Sequence, residues 1–385
     1  MKEIFGYLDK FIYKCIYMCI IILMKIDWYL KMTVLVKRKS ALQSVVDSVV
    51  DQNTMDFWLQ KVNPLWSVQE ALAKIVAKEV SATDMVTLTL QVNRHFQFGI
   101  AGQHHPVFVT VNGVRYERSY SLTQLDPKHV TLTVKKVASG KVSTWLNDQA
   151  KIGDVIELGQ PFGEMTLAQS SEPVVLLAAG SGITPMRSLL RDLTTRNKIS
   201  EQPITLMYWV KQDADAAFKA EFEALAQQYT NVKFELYVTQ QHKQARLNLE
   251  HVHAIECLAQ ARVYACGPSG FVWTVEQLFK DAALVMTEAF SLTEIAHDDV
   301  GFVNVTLTQS NKVLTIPKGQ SILSALEQQN VKPNHGCRMG ICDKCACHKA
   351  EGSTRNLVNG MQNHEPGNLL KICVNSAQSD LVIDL

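Results

Sequence analysis

The sequence predicts a multidomain chain of β and α/β class: an antiparallel β-barrel, then a doubly wound parallel α/β domain, then a small cysteine-bearing domain. Three observations predict it. Between Ala71 and Leu167, short β-branched runs follow one another across Gly, Asn and Asp turns with no helix between them. From Pro173, strand and helix patterns alternate. Cys337, Cys342, Cys345 and Cys347 fall within eleven residues. At roughly 150 residues per domain, 385 residues accommodate two or three such units.

Residues 1–31 hold seven Ile, four Tyr and five Lys but no Ala, Val, Ser, Thr, Gln or Pro, unlike the rest of the chain. They are read as an extension ahead of a start at Met32. The alternative is a monotopic membrane tether, because the apolar run Cys15–Met24 is too short to span a bilayer. Residues 32–66 form a helical lead-in. Leu42, Val45, Val46, Val49 and Val50, then Phe57, Trp58 and Leu59, recur at helical spacing, and Asn63-Pro64 closes the segment.

The barrel spans 67–168, with strands at Ala73–Val80, Val86–Val92, Val107–Val111, Val130–Val137 and Val155–Leu158. A sandwich is the other architecture such strands allow. The α/β domain spans 169–286. Its strands are Val174–Ala179, Ile204–Val210, Lys233–Thr239 and Val263–Ala265, and its helices Thr184–Arg196, Ala217–Gln228 and Phe271–Leu284. Residues 287–300 are expected to be a linker. The last module, 301–385, opens with a hairpin of Val303–Leu307 and Val313–Ile316 and a short helix, Ser321–Gln329. With 38 Lys+Arg against 37 Asp+Glu, no overall field draws the chain to nucleic acid, and no such partner is expected.

The cysteine loop runs His335-Gly336-Cys337-Arg338-Met339-Gly340-Ile341-Cys342-Asp343-Lys344-Cys345-Ala346-Cys347, with Cys373 beyond it on an expected strand, Leu370–Val374. Four residues, then two, then a distant cysteine is the plant-type spacing of a 2Fe-2S cluster, whose ferric ions need anionic sulfur ligands. Gly336 and Gly340 let such a loop wrap closely and aim N–H groups at the sulfurs. A zinc knuckle of Cys342, Cys345, Cys347 and His348 is the competing reading. Residues 302–385 resemble the plant-type ferredoxin domain. The resemblance implies a β-grasp fold with Cys337, Cys342, Cys345 and Cys373 as iron ligands and Cys347 as a spare thiol.

In the barrel, Arg118-Ser119-Tyr120-Ser121 ends a strand. It combines a phosphate-binding charge, a flat amphipathic ring and hydroxyls, although a half-buried strand with an exposed arginine would read the same. Gly140-Lys141-Val142-Ser143-Thr144 is a glycine turn into a helix start, where free N–H groups suit a pyrophosphate. Gly102-Gln103 lies upstream, and Gly159-Gln160-Pro161-Phe162-Gly163 closes the barrel. In the next domain a strand runs into Gly180-Ser181-Gly182-Ile183-Thr184-Pro185, with Thr184 expected as helix N-cap and Pro185 in the first turn. A later strand ends in Tyr264-Ala265-Cys266-Gly267-Pro268, at the carboxyl edge where parallel sheets bind ligands.

Together these motifs resemble the ferredoxin–NADP reductase superfamily of flavin reductases over residues 70–290. The resemblance implies a flavin, FAD in preference to FMN, with its ring on Tyr120, Ser121 near its N5 edge, Arg118 on its phosphate and Ser119 beside it. Gly140, Lys141, Val142, Ser143 and Thr144 would hold the pyrophosphate. Gly180, Gly182, Thr184 and Pro185 would hold NADPH or NADH, with Cys266, Gly267 and Pro268 at the nicotinamide. Glu288 and Phe290 resemble an acidic–aromatic pair that reaches back toward the flavin. Ser121, Cys266 and Glu288 are the candidate catalytic residues. His105, where an apolar residue is usual, is expected to be packed rather than catalytic. Lys243 and Arg246, in a loop without acidic residues, favour the 2′-phosphate of NADPH.

The expected activity is electron transfer from NAD(P)H through the flavin and the cluster to a redox partner protein. That partner would be an oxygenase, a hydroxylase or a membrane-bound fatty-acid desaturase, the last suggested by Trp58 and Trp66 of the lead-in. A redox sensor without sustained turnover is the alternative. The expected setting is cytoplasmic or peripheral at the inner membrane face, with a monomer as the simplest state.

Overall fold

The computed structural model describes residues 52–138, 140–168, 170–241, 245–291 and 299–385. The expectations for residues 1–31 and for the lead-in before Gln52 lie outside these residues. Helix α1, Gln52–Val62, stops where Asn63-Pro64 forbids another helical turn.

Strands β1 (Leu72–Ala82), β2 (Met85–Val92), β3 (His104–Val111), β4 (Val114–Asp126), β5 (His129–Lys135) and β6 (Val155–Leu158) close into a barrel of order β1-β2-β5-β4-β3-β6. All six contacts are antiparallel. Closure gives every strand two neighbours, which settles the choice between barrel and sandwich. Asn112 and Gly113, both at positive φ, make the two-residue turn that matches strand twist and sets the β3–β4 register. That turn starts β4 early, so Arg118–Ser121 lies inside a thirteen-residue strand rather than at its end. After β5, α2 (Lys141–Thr144) continues into a π-helical turn, Trp145–Gln149.

The second module is a parallel sheet of β7 (Val174–Ala179), β8 (Ile204–Val210), β9 (Val232–Val238), β10 (Arg262–Pro268) and β11 (Leu284–Ser291), in the order β11-β10-β7-β8-β9. Its helices include α3 (Ile183–Thr195), α4 (Lys219–Gln228), α5 (Leu249–His253) and α6 (Ser269–Leu278). The strand order reverses between β7 and β10, which opens a crevice at their carboxyl ends. Two expectations change here. Gly180–Gly182 forms a 3-10 turn and Gly182 caps α3, so Thr184 is the second helical residue and its hydroxyl donates back to Ser181 O at 3.2 Å. Pro185 still fits, because the N–H it lacks is one that no helix can satisfy internally. The second change is at the end: the expected helix Phe271–Leu284 stops at Leu278, and 284–291 is a strand, not linker. Pairing with β10 covers that strand's edge while Leu284, Met286 and Phe290 pack on the sheet core.

The third module has a five-stranded sheet, β13-β12-β19-β14-β17, comprising β12 (Phe302–Leu307), β13 (Lys312–Pro317), β14 (Ala346–Glu351), β17 (Leu369–Lys371) and β19 (Leu381–Ile383). A smaller sheet joins β15 (Thr354–Asn356), β16 (Gln362–Asn363) and β18 (Asn375–Ala377). Helix α7 (Ile322–Gln328) is capped by Ser321, whose oxygen accepts from Ser324 N at 3.3 Å. This is the grasp of a mixed sheet over one helix. Cys373 lies in the turn after β17 rather than on a strand.

Alternation along β3 sends His104 and His105 to opposite faces. The His105 ring stacks on Phe96 with centroids 5.1 Å apart, and its Nε2 donates to Gln97 O at 3.1 Å. Burial holds this imidazole down to about 4, so it is neutral at ordinary pH. Because the folded value lies below the unfolded one, stability is whole above about 6.5 and is lost as pH falls toward 4. At about 1.4 kcal/mol per unit, the loss is about 3 kcal/mol. His105→Gln should flatten that slope, measured as urea-unfolding midpoint against pH; an unchanged slope would contradict the assignment.

Candidate active site

Strand β4 changes partner immediately after the flavin motif. Through Ser121 it pairs with β3, and its pairing with β5 begins only at Leu122, so the opposite backbone edge of Arg118–Ser121 has no strand partner. Ser119 Oγ is buried there without a hydrogen-bond partner. An unmet hydroxyl beside an open strand edge suits the polar rim of a heteroaromatic ring, and the motif fits a flavin on that ground. Arg118 Nη1 donates to Glu117 O at 2.6 Å. The half-buried Tyr120 ring packs against the barrel core, and desolvation raises its phenol above the ordinary value, keeping it protonated. At Gly140 a Cβ would lie 2.4 Å from Ser143 Oγ and 3.0 Å from Val137 O, so the turn requires glycine. Ser143 Oγ accepts from Val137 N at 3.2 Å and braces it.

A hydrogen-bonded chain leaves this strand at Ser121. Ser121 Oγ is 3.0 Å from His104 Nδ1, and His104 Nε2 bonds Glu288 Oε2. A carboxylate only accepts, so Nε2 carries the proton and Nδ1 accepts from the Ser121 hydroxyl. Glu288 stands on β11 in register with Cys266 on β10. Burial, and next the Glu288 carboxylate, raise the Cys266 thiol well above its usual range. Cys266 therefore stays protonated. Its peptide meets the glycine loop: a Cβ on Gly182 would sit 2.0 Å from Cys266 O, and one on Gly267 2.9 Å from Ala179 Cβ. Glycine at both positions lets the two loops touch at the switch point, as a phosphate-and-ring crevice requires.

In the third module the thiols form two pairs. Cys342 lies beside Cys337 and Cys345 beside Cys373, and within each pair the interaction lowers one thiol, Cys342 or Cys345, and raises the other. Cys337 Sγ accepts from the N–H groups of Met339, Ile341 and Cys342 at 3.3–3.4 Å, and Cys342 Sγ from Cys337 N at 3.2 Å. Positive φ at Arg338, Gly340 and Asp343 produces this wrapping. Among the described residues, no three His, Cys, Asp or Glu side chains group as ligands of a single ion. Two pairs suit a two-iron cluster, in which each iron takes two protein ligands, better than one tetrahedral zinc. Cys347 is buried apart, facing Leu370 O at 3.8 Å, its thiol pushed up to about 12 by burial.

Family models match the three modules in order: an oxidoreductase FAD-binding domain at 72–167, an oxidoreductase NAD-binding domain at 176–277, and a 2Fe-2S iron-sulfur cluster binding domain at 305–374. The chain is 32% identical over 356 residues to an NADPH oxidoreductase of Mycobacterium tuberculosis, covering 90% of this chain and 92% of that one. The chain belongs to the ferredoxin–NADP reductase family with a C-terminal 2Fe-2S ferredoxin domain. Two more reductases support this. The NADH oxidoreductase HCR of Escherichia coli is 30% identical over 70% of this chain and 83% of its own length. The solved structure of a phthalate dioxygenase reductase superposes with a TM-score of 0.60 at 25% identity, covering 82% of this chain and 97% of that one. As a reductase of this family, the chain is an oxidoreductase that uses FAD, NAD(P)H and a 2Fe-2S cluster.

Within this reductase, Ser121 and Glu288 are brought together, and Cys266 joins them through Glu288. Lys243 lies outside the described residues, and Arg246 is exposed after β9, next to Ala245, whose carbonyl accepts from Trp209 Nε1. His104, which links Ser121 to Glu288, is the member of this chain that sequence reasoning missed. Its signal is the His-His pair after Gly102-Gln103, in which alternation dedicates one ring to each face. The cysteine assignment makes separable predictions. Cys373→Ser should abolish the cluster's visible absorbance and lower bound iron, whereas Cys347→Ser should leave both intact; loss of absorbance in Cys347→Ser would contradict the ligand set.

Proposed function

We propose that this reductase takes electrons from NADPH or NADH and delivers them through FAD and the 2Fe-2S cluster to a separate oxygenase, hydroxylase or membrane-bound fatty-acyl desaturase. The observation that carries the reading is the hydrogen-bonded chain from Glu288 on the nucleotide sheet, in register with Cys266, through His104 to Ser121 on the flavin strand. Bound at that strand, the flavin accepts a hydride and gives electrons up singly.

The residues divide the remaining work. Ser119, Tyr120 and Arg118 hold the ring and phosphate, and Gly140 to Thr144 the pyrophosphate. Gly180 to Pro185 and Cys266 to Pro268 line the nicotinamide crevice, where the uncharged Cys266 thiol supplies bulk without repelling an incoming hydride donor. Ser121 Oγ, its hydrogen turned to His104 Nδ1, offers a lone pair outward. A proton leaving the site is taken at that lone pair while the Ser121 hydrogen passes to His104 Nδ1, with Glu288 accepting from Nε2. Lys243 and Arg246 favour NADPH.

The partner assignment draws on the phthalate dioxygenase reductases of Burkholderia cepacia and Pseudomonas putida, 28% and 26% identical to this chain. Among the described residues no helix is long and apolar enough to cross a membrane. A cytoplasmic setting, or one peripheral at the inner membrane face, goes with this reading.

Anaerobic titration of the purified protein, first with NADPH and then with NADH, tests it. Flavin and iron–sulfur bands should bleach together, with NADPH effective at the lower concentration. Added ferricyanide or cytochrome c should turn over within the ordinary enzyme range of roughly 1–10³ per second. A colourless zinc protein would contradict the reading, and reduction far below that range would favour the sensor.

A further inference from the structure

The loop carrying the thiols rests against the flavin strand at a charge pair that the electron path does not use. Lys344, between Cys342 and Cys345, places Nζ 2.6 Å from Oε1 of Glu117, the residue before Arg118. Glu117 is largely buried at 16% side-chain exposure, while Lys344 is at 40%. The approach is built for contact. A Cβ on Gly336 would sit 2.9 Å from Glu117 Oε1, 2.9 Å from Lys344 Cδ and 3.0 Å from Cys342 Sγ. A side chain at that position would have to displace the carboxylate, the Lys344 stem or the Cys342 sulfur. Phe108, the β3 partner of Glu117, presents its ring to Lys344 Nζ at 5.8 Å and to Arg115 at 4.0 Å. On the far side of the loop, Asp343 is tied to Lys371 at 2.7 Å.

We propose that Glu117 and Lys344 are positioning residues, an electrostatic latch that seats the cysteine loop on the flavin strand and sets the rate of electron passage from barrel to cluster. This rests on the proposed electron path through FAD and the 2Fe-2S cluster. The step makes and breaks no bond: the electron lost on the barrel side is the one gained by the cluster. Its rate depends steeply on separation, and the latch joins the residue beside a flavin-phosphate arginine to the residue between two iron ligands. A mostly buried carboxylate that loses its cation is left unpaired, so the seated arrangement loses population.

The test uses full-length holoprotein in four forms: wild type, Glu117→Gln, Lys344→Gln, and the reversed double variant Glu117→Lys with Lys344→Glu. Anaerobic stopped-flow follows flavin and cluster bands separately after mixing with NADPH. Each single variant should bleach its flavin at the wild-type rate but its cluster roughly fivefold or more slowly, as loss of a partly buried ion pair implies. The reversed pair should recover most of the difference. Salt should slow the wild-type cluster step and leave that of Glu117→Gln unchanged. Amide hydrogen exchange of 114–120 and 336–344, read without any electron donor, should quicken in both single variants and slow again in the reversed pair. Unchanged cluster rates with unchanged exchange would overturn the latch, as would singles that the reversal does not rescue or flavin reduction that falls in parallel. If wild type fails to bleach with either nucleotide, the proposed function falls, and the exchange pattern alone then decides the latch.

Discussion

His104 lies buried between two modules, and both of its ring nitrogens are committed, one to Ser121 on the barrel and one to Glu288 on the nucleotide sheet. A buried polar group left unpaired costs about 1–3 kcal/mol, so this ring holds the two modules in one arrangement. Much else depends on it. The chain after α6 must return as β11 to carry Glu288, which brings that carboxylate into register with Cys266. Gly163, at φ +111°, lets the end of the barrel pass the same ring: a Cβ there would lie 3.3 Å from His104 Cδ2. Phe290, two residues along β11, closes on the imidazole edge-on at 5.5 Å.

A further contact between these modules is made by α3. Ser188 Oγ donates to Leu122 O at 3.0 Å, at the residue where β4 changes partner. Arg187 reaches Thr131 on β5 at 3.1 Å while paired with Glu221 on α4. The helix that opens at the glycine loop is therefore bolted to the strand that carries the flavin motif. A shift in one crevice is felt in the other, because packed elements transmit displacement rather than absorb it.

How much of this is legible in the sequence depends on how local each signal is. The cysteine spacing is read within eleven residues, and Asn112-Gly113 marks its hairpin unaided. The glycine loops read correctly as close approaches, although the expected cap, Thr184, sits inside a helix that Gly182 caps; a threonine hydroxyl can bond backward to Ser181 O from inside the first turn as readily as forward from a cap. The strand at 284–291 is hidden because Leu284 comes after a helix without a glycine or proline stop, so the periodic pattern runs on. His104 is hidden for a different reason. Its partner Glu288 is 184 positions away. Nothing in either local segment distinguishes His104 from His105 except the face that the strand gives it. The Glu117–Lys344 pair, 227 positions apart, is invisible on the same ground.

The central claim is that His104 couples Ser121 to Glu288 in the hydride-accepting site rather than merely filling a gap. The direct measurement is the rate of flavin bleaching by NADPH in stopped flow, comparing wild type with His104→Gln and Glu288→Gln. The coupled chain predicts that both substitutions slow bleaching at saturating NADPH by a similar factor, with nucleotide affinity little altered. Wild-type bleaching rates in both variants, differing only in thermal stability, would show the ring to be structural and would contradict the account.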